Sequence, residues 1–210
     1  SSPSASESEE EEATDNPAFV MVDESTGNRY MGIIDQKGIG SKKEMEWLVR
    51  DIHFELKAWG HPGGMGNKLI LKCDGENAIA AIRDAVSKKR GGRITPEQPP
   101  KGEHQANGVV EEAGRTVRAM ARVLKFQLDN KVGRKVHIGE PIIEWLVRWA
   151  AMSLSRFQAG RDKQTPYQRQ VGKRCGIAAV PFGERVLFRK LTVSGDQKRS
   201  MESNGKKVSG

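Results

Sequence analysis

The sequence predicts a mixed α/β domain, on three observations. Short apolar, partly β-branched runs alternate with longer stretches whose apolar residues recur at helical spacing. Two of those stretches open on a capping box, Ser41 with Glu44 and Thr165 with Gln168. At 210 residues, 36% of them hydrophobic, the chain is long enough to bury a core of its own.

The elements follow in order. Phe19 to Val22 and Arg29 to Ile34 read as strands, and the turn chemistry of residues 23–28 between them makes an antiparallel hairpin. After Ser41, the positions Met45, Leu48, Ile52, Leu56 and Trp59 trace one helical face, which Gly60 ends. Lys68 to Cys73 is a third strand, Asn77 to Lys89 a helix stopped by Gly91-Gly92, and Arg93 to Thr95 a short fourth strand. A Pro-rich polar loop over residues 96–107 leads into a long helix over 108–128. Pro141 suits the first position of a helix reaching Phe157, with Ile142, Ile143, Leu146, Trp149 and Ala150 turned mostly inward. Gly183 to Leu191 is the last strand expected.

Composition excludes several classes. The two cysteines, Cys73 and Cys175, are too few and too far apart for a disulfide scaffold, and no apolar run is long enough to span a membrane. The start of the chain has neither the basic nor the apolar stretch of a secretory leader, so the expected setting is intracellular. Net charge is +8 but unevenly spread. Residues 1–16 hold six acids and no base, which leaves the rest of the chain at +14. That segment, and residues 193–210, lack the apolar surface that offsets chain ordering and are expected to be disordered. The boundaries expected are thus 1–16, a core domain over 17–175, a further module beginning over 176–192, and a tail over 193–210.

Two segments carry chemistry. Asp74 follows the apolar run Leu69-Ile70-Leu71-Lys72-Cys73, at the strand end where α/β sheets place reactive groups; capping the next helix is the alternative role. His104-Gln105-Ala106-Asn107-Gly108-Val109-Val110-Glu111-Glu112 opens the long helix with two acids, which its dipole favours. Glu111, Arg115 and Arg118 lie at i, i+4 and i+7 and share a face. A basic series (Arg83, Lys88, Lys89, Arg90, Arg93, Arg115, Arg118, Arg122, Lys125, Lys131, Arg134, Lys135) suits phosphate contacts, with a solubilising surface as the plainer reading. Trp47, Trp59, Trp145 and Trp149 fall at helical positions and are expected in the core. The four histidines and two cysteines show no zinc-ligand spacing.

Together the two segments resemble the retroviral and retrotransposon integrase core, and within it the copia-like integrases. The resemblance rests on Asp74, on Asn107-Gly108-Val109-Val110-Glu111, and on the 36 residues between Asp74 and Glu111. Gln164-Thr165-Pro166-Tyr167-Gln168-Arg169 and Pro181-Phe182-Gly183-Glu184-Arg185-Val186 add to it, so that residues 17–190 are covered. What it implies is an RNase H-like mixed sheet flanked by helices, and a polynucleotidyl transferase in which three carboxylates hold two Mg²⁺ (or Mn²⁺) ions at a phosphodiester. Asp74 and Glu111 would be catalytic metal ligands, with Glu112 a surface acid beside them. Arg115 and Arg118 would face the DNA. Gln105 and Asn107 match loop positions that approach DNA, with ordinary loop polarity as the alternative. The implied partners are the ends of the element and its target DNA, with no membrane, a nuclear location and a homo-multimer.

One departure stands out. The family's first Asp lies on a first strand in the middle of the sheet, whereas here the acidic segment precedes Phe19 and neither Asp15 nor Asp23 fits. The expectation is a sheet without its central strand and a chain with little or no strand-transfer activity. A non-catalytic DNA-binding or interaction remnant of the same core is the other reading.

Overall fold

The computed structural model describes residues 17–34, 41–64, 67–73, 76–97 and 108–187. Contacts divide the chain into two units, Ser1–Ala178 and Ala179–Gly210. All the regular elements lie in the first: β1 (Ala18–Val22), β2 (Arg29–Ile33), α1 (Lys42–Ala58), β3 (Leu69–Lys72), α2 (Asn77–Arg90), β4 (Ile94–Glu97), α3 (Gly108–Val132), α4 (Pro141–Phe157) and α5 (Pro166–Val171). The fold is mixed α/β, with short sheets flanked by helices.

The hairpin forms as its turn chemistry dictates. Asp23 accepts from the Ser25 N–H and from the hydroxyls of Ser25 and Thr26, while Gly27 supplies a φ of +81°. Burial pushes the Asp23 carboxyl up, but those hydrogen bonds and nearby His61 outweigh it and hold the pKa below the usual value. β1 and β2 pair antiparallel from Ala18↔Ile33 to Val22↔Arg29, and β3 and β4 pair parallel from Leu69↔Ile94 to Lys72↔Glu97. Among the described residues no strand joins these two pairs into one sheet.

α1 opens on the full capping box expected of it, with Ser41 Oγ accepting from Glu44 N–H and Glu44 accepting from Ser41 N–H. Its stripe of Leu48, Val49, Ile52 and Leu56 meets Ile82 and Val86 of α2 in one cluster. Phe19 and Met21 of β1 and Leu69 and Leu71 of β3 lie against that cluster. The opposite face of β1 meets α3, where Gly114 brings the helix close to Val20. Behind α3, a seam of Val117, Leu124 and Leu128 is buried, as are Leu146, Ala150 and Leu154 of α4, the helix packed against it.

α5 fastens the far end of the hairpin. Thr165 caps it by accepting from Gln168 N–H, and Pro166 takes the first turn. Gln170 accepts from the buried Asn28 amide and donates to the Ala58 carbonyl at the end of α1. Arg169 donates to Thr26 O and to both oxygens of Asp162. The Thr-Pro-Tyr-Gln-Arg stretch and Gln170 after it therefore have a structural job, Arg169 holding the β1–β2 turn and Gln170 tying it to α1.

Three expectations need correcting. α3 runs four residues past Leu128, to Val132, because Leu124 and Leu128 remain buried near its end. Trp145 is not core: it is 68% exposed on α4, while Trp59 is buried and Trp47 and Trp149 are partly so. In the second unit, residues 181–184 form a turn in which Glu184 N–H donates to Pro181 O. No strand is present as far as Leu187, and residues 188–191 of the strand expected there lie outside the described residues.

Candidate nucleic-acid and metal site

The head of α3 is the part of the expected site that the structure describes. Glu111 lies in its first turn, where the unpaired N–H groups favour an acid. Glu111, Arg115, Arg118 and Arg122 are all exposed, and the helical repeat puts them on one face. Arg115 does not pair with Glu111 one turn back. Its Nη1 lies 3.3 Å from Glu112 Oε2, and Thr116 Oγ1 donates to Glu112 Oε1 at 3.2 Å. Glu112 is thus engaged, and no described residue pairs with Glu111. Both members of the Arg115–Glu112 pair are well exposed, so the pair stabilises little and Arg115 can trade Glu112 for a phosphate. Arg118 folds back toward the helix start, its Nη1 3.5 Å from where a Cβ on Gly114 would lie.

A shallow groove runs beside this turn, lined by Val22, Gly27, Arg29, Gly108, Val109, Glu112 and Ala113. Burial pulls the Arg29 pKa down, while Glu112 opposes that shift. Arg29 Nη1 donates to Gln158 Oε1 at 3.0 Å, which fixes a cation at the groove wall.

Asp74, Gln105 and Asn107 lie outside the described residues, as does His104. What borders Asp74 is described. Cys73 N–H donates to Glu97 O at 3.1 Å, so strand pairing continues to its doorstep, and Arg83 Nη1 donates to Cys73 Sγ at 3.6 Å. Glu76 is the N-cap residue of α2 but makes no side-chain cap bond. A hard divalent ion needs several oxygen ligands. Among the described residues no three acidic, imidazole or thiol groups gather to supply them, so Glu111 by itself does not make a metal centre.

The basic series also sorts itself. Arg90 leaves the surface altogether: it is 5% exposed, donating to the carbonyls of His61, Gly91 and Asn67. The reason is steric and electrostatic, since the Gly63-Gly64 and Gly91-Gly92 turns close over it and leave carbonyls that need a donor. Arg134 is held by Glu140 at 2.7 and 2.9 Å, Lys125 by Asp129 at 2.9 Å, and Arg83 by Asp84 at 2.8 Å. Arg118, Arg122, Lys88 and Lys89 remain exposed with no described partner.

Sequence reasoning missed a polar knot between α1, β2 and α4. Arg148 Nη1 donates to Asp51 Oδ1 at 3.0 Å, and its Nη2 sits 2.8 Å from Asp51 Oδ2 and 3.0 Å from Glu144 Oε1. The Nη2 contacts are ion pairs whose angles fall short of hydrogen bonds. The guanidinium lies 4.8 Å from the Trp47 ring centre and 5.7 Å from that of Tyr30, whose hydroxyl donates to Asp51. Burial, helped by Asp51, drives the Tyr30 hydroxyl pKa far up, and burial likewise raises the Glu55 carboxyl. The signal was there: Asp51 and Arg148 both interrupt apolar helical faces.

No family model matches the chain, and no curated protein sequence does. Solved structures do. A chain in the cryo-EM structure of the simian T-cell lymphotropic virus intasome with PP2A regulatory subunit B56 gamma gives a TM-score of 0.52. The identity is 12%, over 82% of this chain and 54% of that one, so this chain spans about half the length of its neighbour. The catalytic core domain of BIV integrase gives a TM-score of 0.47 at 20% identity, over 74% of this chain and 85% of that one. The first likeness shows a shared fold.

Proposed function

We propose that this chain is an integrase-core-like domain of retrotransposon origin that holds DNA on the exposed basic face of α3. In this reading Asp74 and Glu111 contribute carboxylates to a Mg²⁺ site of the kind that serves phosphodiester strand transfer, with Gln105 and Asn107 approaching the DNA. The observation that carries it is the head of α3, where an acid with no partner among the described residues stands at the start of a face that continues as Arg115, Arg118 and Arg122. The fold shared with an intasome chain supports it. Work as a homo-multimer in the nucleus belongs to the same proposal. A second reading, DNA binding without metal chemistry, is favoured by Arg118 and Arg122, exposed cations with no described partner that can meet phosphate without a metal.

Titration with paramagnetic Mn²⁺ separates the two. Catalytic ancestry with a surviving site predicts saturable broadening of amide signals around Glu111 that Asp74→Asn or Glu111→Gln abolishes. Identical titrations in wild type and both variants establish the second reading. In either case protein of this sequence is expected to join DNA ends weakly or not at all, and robust Mg²⁺-dependent joining contradicts that.

A further inference from the structure

The exposed face of α3 is uneven in charge. At its head stand Glu111 and Glu112, and Glu112 already lies 3.3 Å from Arg115. Further along, Arg118 and Arg122 are exposed with no partner among the described residues. They are the part of the face whose positive charge nothing described offsets. Arg118 also stands beside β1. Its Nη1 and a methyl of Val20 are each 3.5 Å from the place a Gly114 Cβ would take.

β1 runs against α3. Val22, at the end of the strand, lines the groove with Val109, Glu112 and Ala113, whereas Val20 lies at Gly114. Followed backwards, β1 therefore leads down the helix toward Arg118 and Arg122. Pro17 is the first described residue, its carbonyl accepting from Ile34 N–H at 2.9 Å. Residues 1–16 lie outside the described residues. Their sequence holds six acids and no base, so it supplies no counter-charge of its own. From Pro17 the chain back to Glu12 spans at most about 18 Å, and back to Glu9 at most about 29 Å. Arg118 and Arg122 are only about 6 Å apart along the helix axis. The acids are thus tethered within reach of that pair. A short tether gives an effective concentration in the millimolar range, enough to hold together exposed ion pairs that are weak singly.

We propose that the acidic residues 7–15 of this chain occupy the Arg118–Arg122 part of the α3 face, and that DNA must displace them to bind there. The displacement rests on the DNA-binding reading above; the contact itself does not. Carboxylate and phosphate compete for the same guanidinium groups, so the segment is a built-in competitor that weak phosphate contacts fail to displace. Glu111 and Glu112 repel it from the head of α3, which leaves that turn open. Lys88, Lys89 and Arg93 are exposed cations too. What selects the α3 pair is its place beside β1, the strand to which residues 7–15 are joined.

The test compares the full chain with a variant carrying Glu7→Gln, Glu9→Gln, Glu10→Gln, Glu11→Gln, Glu12→Gln and Asp15→Asn. Without DNA, the side-chain Nε–H signals of Arg118 and Arg122 should differ between the two proteins, and that of Arg93 should not. In wild type they should move to the variant's positions toward about 1 M salt, where the screening length falls to about 3 Å. A synthetic peptide of residues 1–16 added to the variant should move them back saturably, and a peptide with its acids replaced by amides should not. At low salt the variant should bind duplex at least about fivefold tighter than wild type, and the gain should fall below about twofold when Arg118→Gln and Arg122→Gln are already present. Arginine signals that ignore both the substitutions and the peptide overturn the proposal. So does an equal response at Arg93, or an equal gain in both backgrounds, which means a general charge effect. Arginine signals that respond in a chain that binds no duplex keep the contact and overturn the displacement together with the DNA reading.

Discussion

Replacing Arg148 by Met keeps much of the side chain's bulk and deletes the charge that joins α1 to α4. The structure sets the scale. Asp51 loses contacts at 2.8 and 3.0 Å and keeps the Tyr30 hydroxyl, while Glu144 loses one at 3.0 Å. Stranding one partner of a fully buried pair costs about 3–5 kcal/mol. Here the side chains are 23% and 17% exposed, so water offsets part of that. The lost stacking over Trp47 and Tyr30 adds about 0.5–2 kcal/mol. A net destabilisation of about 2–4 kcal/mol follows, or a melting temperature lower by about 5–15 °C for a chain of this size. Calorimetry on wild type, Arg148→Met, Asp51→Asn and the double variant measures it, with a coupling of about 1–3 kcal/mol expected between the two sites. A shift within about 2 °C, or strictly additive single variants, refutes the reasoning.

Two further outcomes are expected. Arg169 holds the Asp162 carboxyl down to about 2, so the stability it contributes is present above the ordinary Asp range near 3.8 and is lost as pH falls from there through about 2. Thermal unfolding across that window should fall more steeply in wild type than in Asp162→Asn, and parallel profiles count against the clasp. A Cβ at Gly63 would lie 2.3 Å from Arg90 O at a φ of +90°, whereas one at Gly64, φ +87°, would meet nothing within 4 Å. Urea unfolding should therefore show Gly64→Ala losing about 1 kcal/mol from backbone strain alone and Gly63→Ala distinctly more. Equal losses would mean that Arg90 does not pack there.

Much of the local structure was legible because local chemistry causes it. The Asp-Glu-Ser-Thr-Gly-Asn turn, the Ser41–Glu44 box and Pro141 each act within a few residues, and each element they bound is found. What the sequence hid is tertiary. Arg90 belongs to a run of basic residues, and only the closure of two glycine turns over it turns it inward. Trp145 sits at helical spacing with Trp149, yet α4 has more apolar positions than its neighbours cover. At the head of α3 the spacing favoured Glu111–Arg115 equally with Glu112–Arg115, and the structure chose the latter. The expectation of a missing central strand came from the resemblance and not from any local signal; among the described residues the strands form two pairs.

The salt dependence of DNA affinity tests the central claim most directly. Arg115, Arg118 and Arg122 are exposed along one face of α3, and each phosphate neutralised there contributes about 0.9 to the slope of log K against log salt. Fluorescence anisotropy with a duplex should show wild type binding with a steep slope. Arg115→Gln, Arg118→Gln and Arg122→Gln combined should lower that slope by about 2–3 and weaken binding similarly for unrelated sequences. A triple variant that binds with the wild-type slope and affinity would contradict the claim that this face holds DNA.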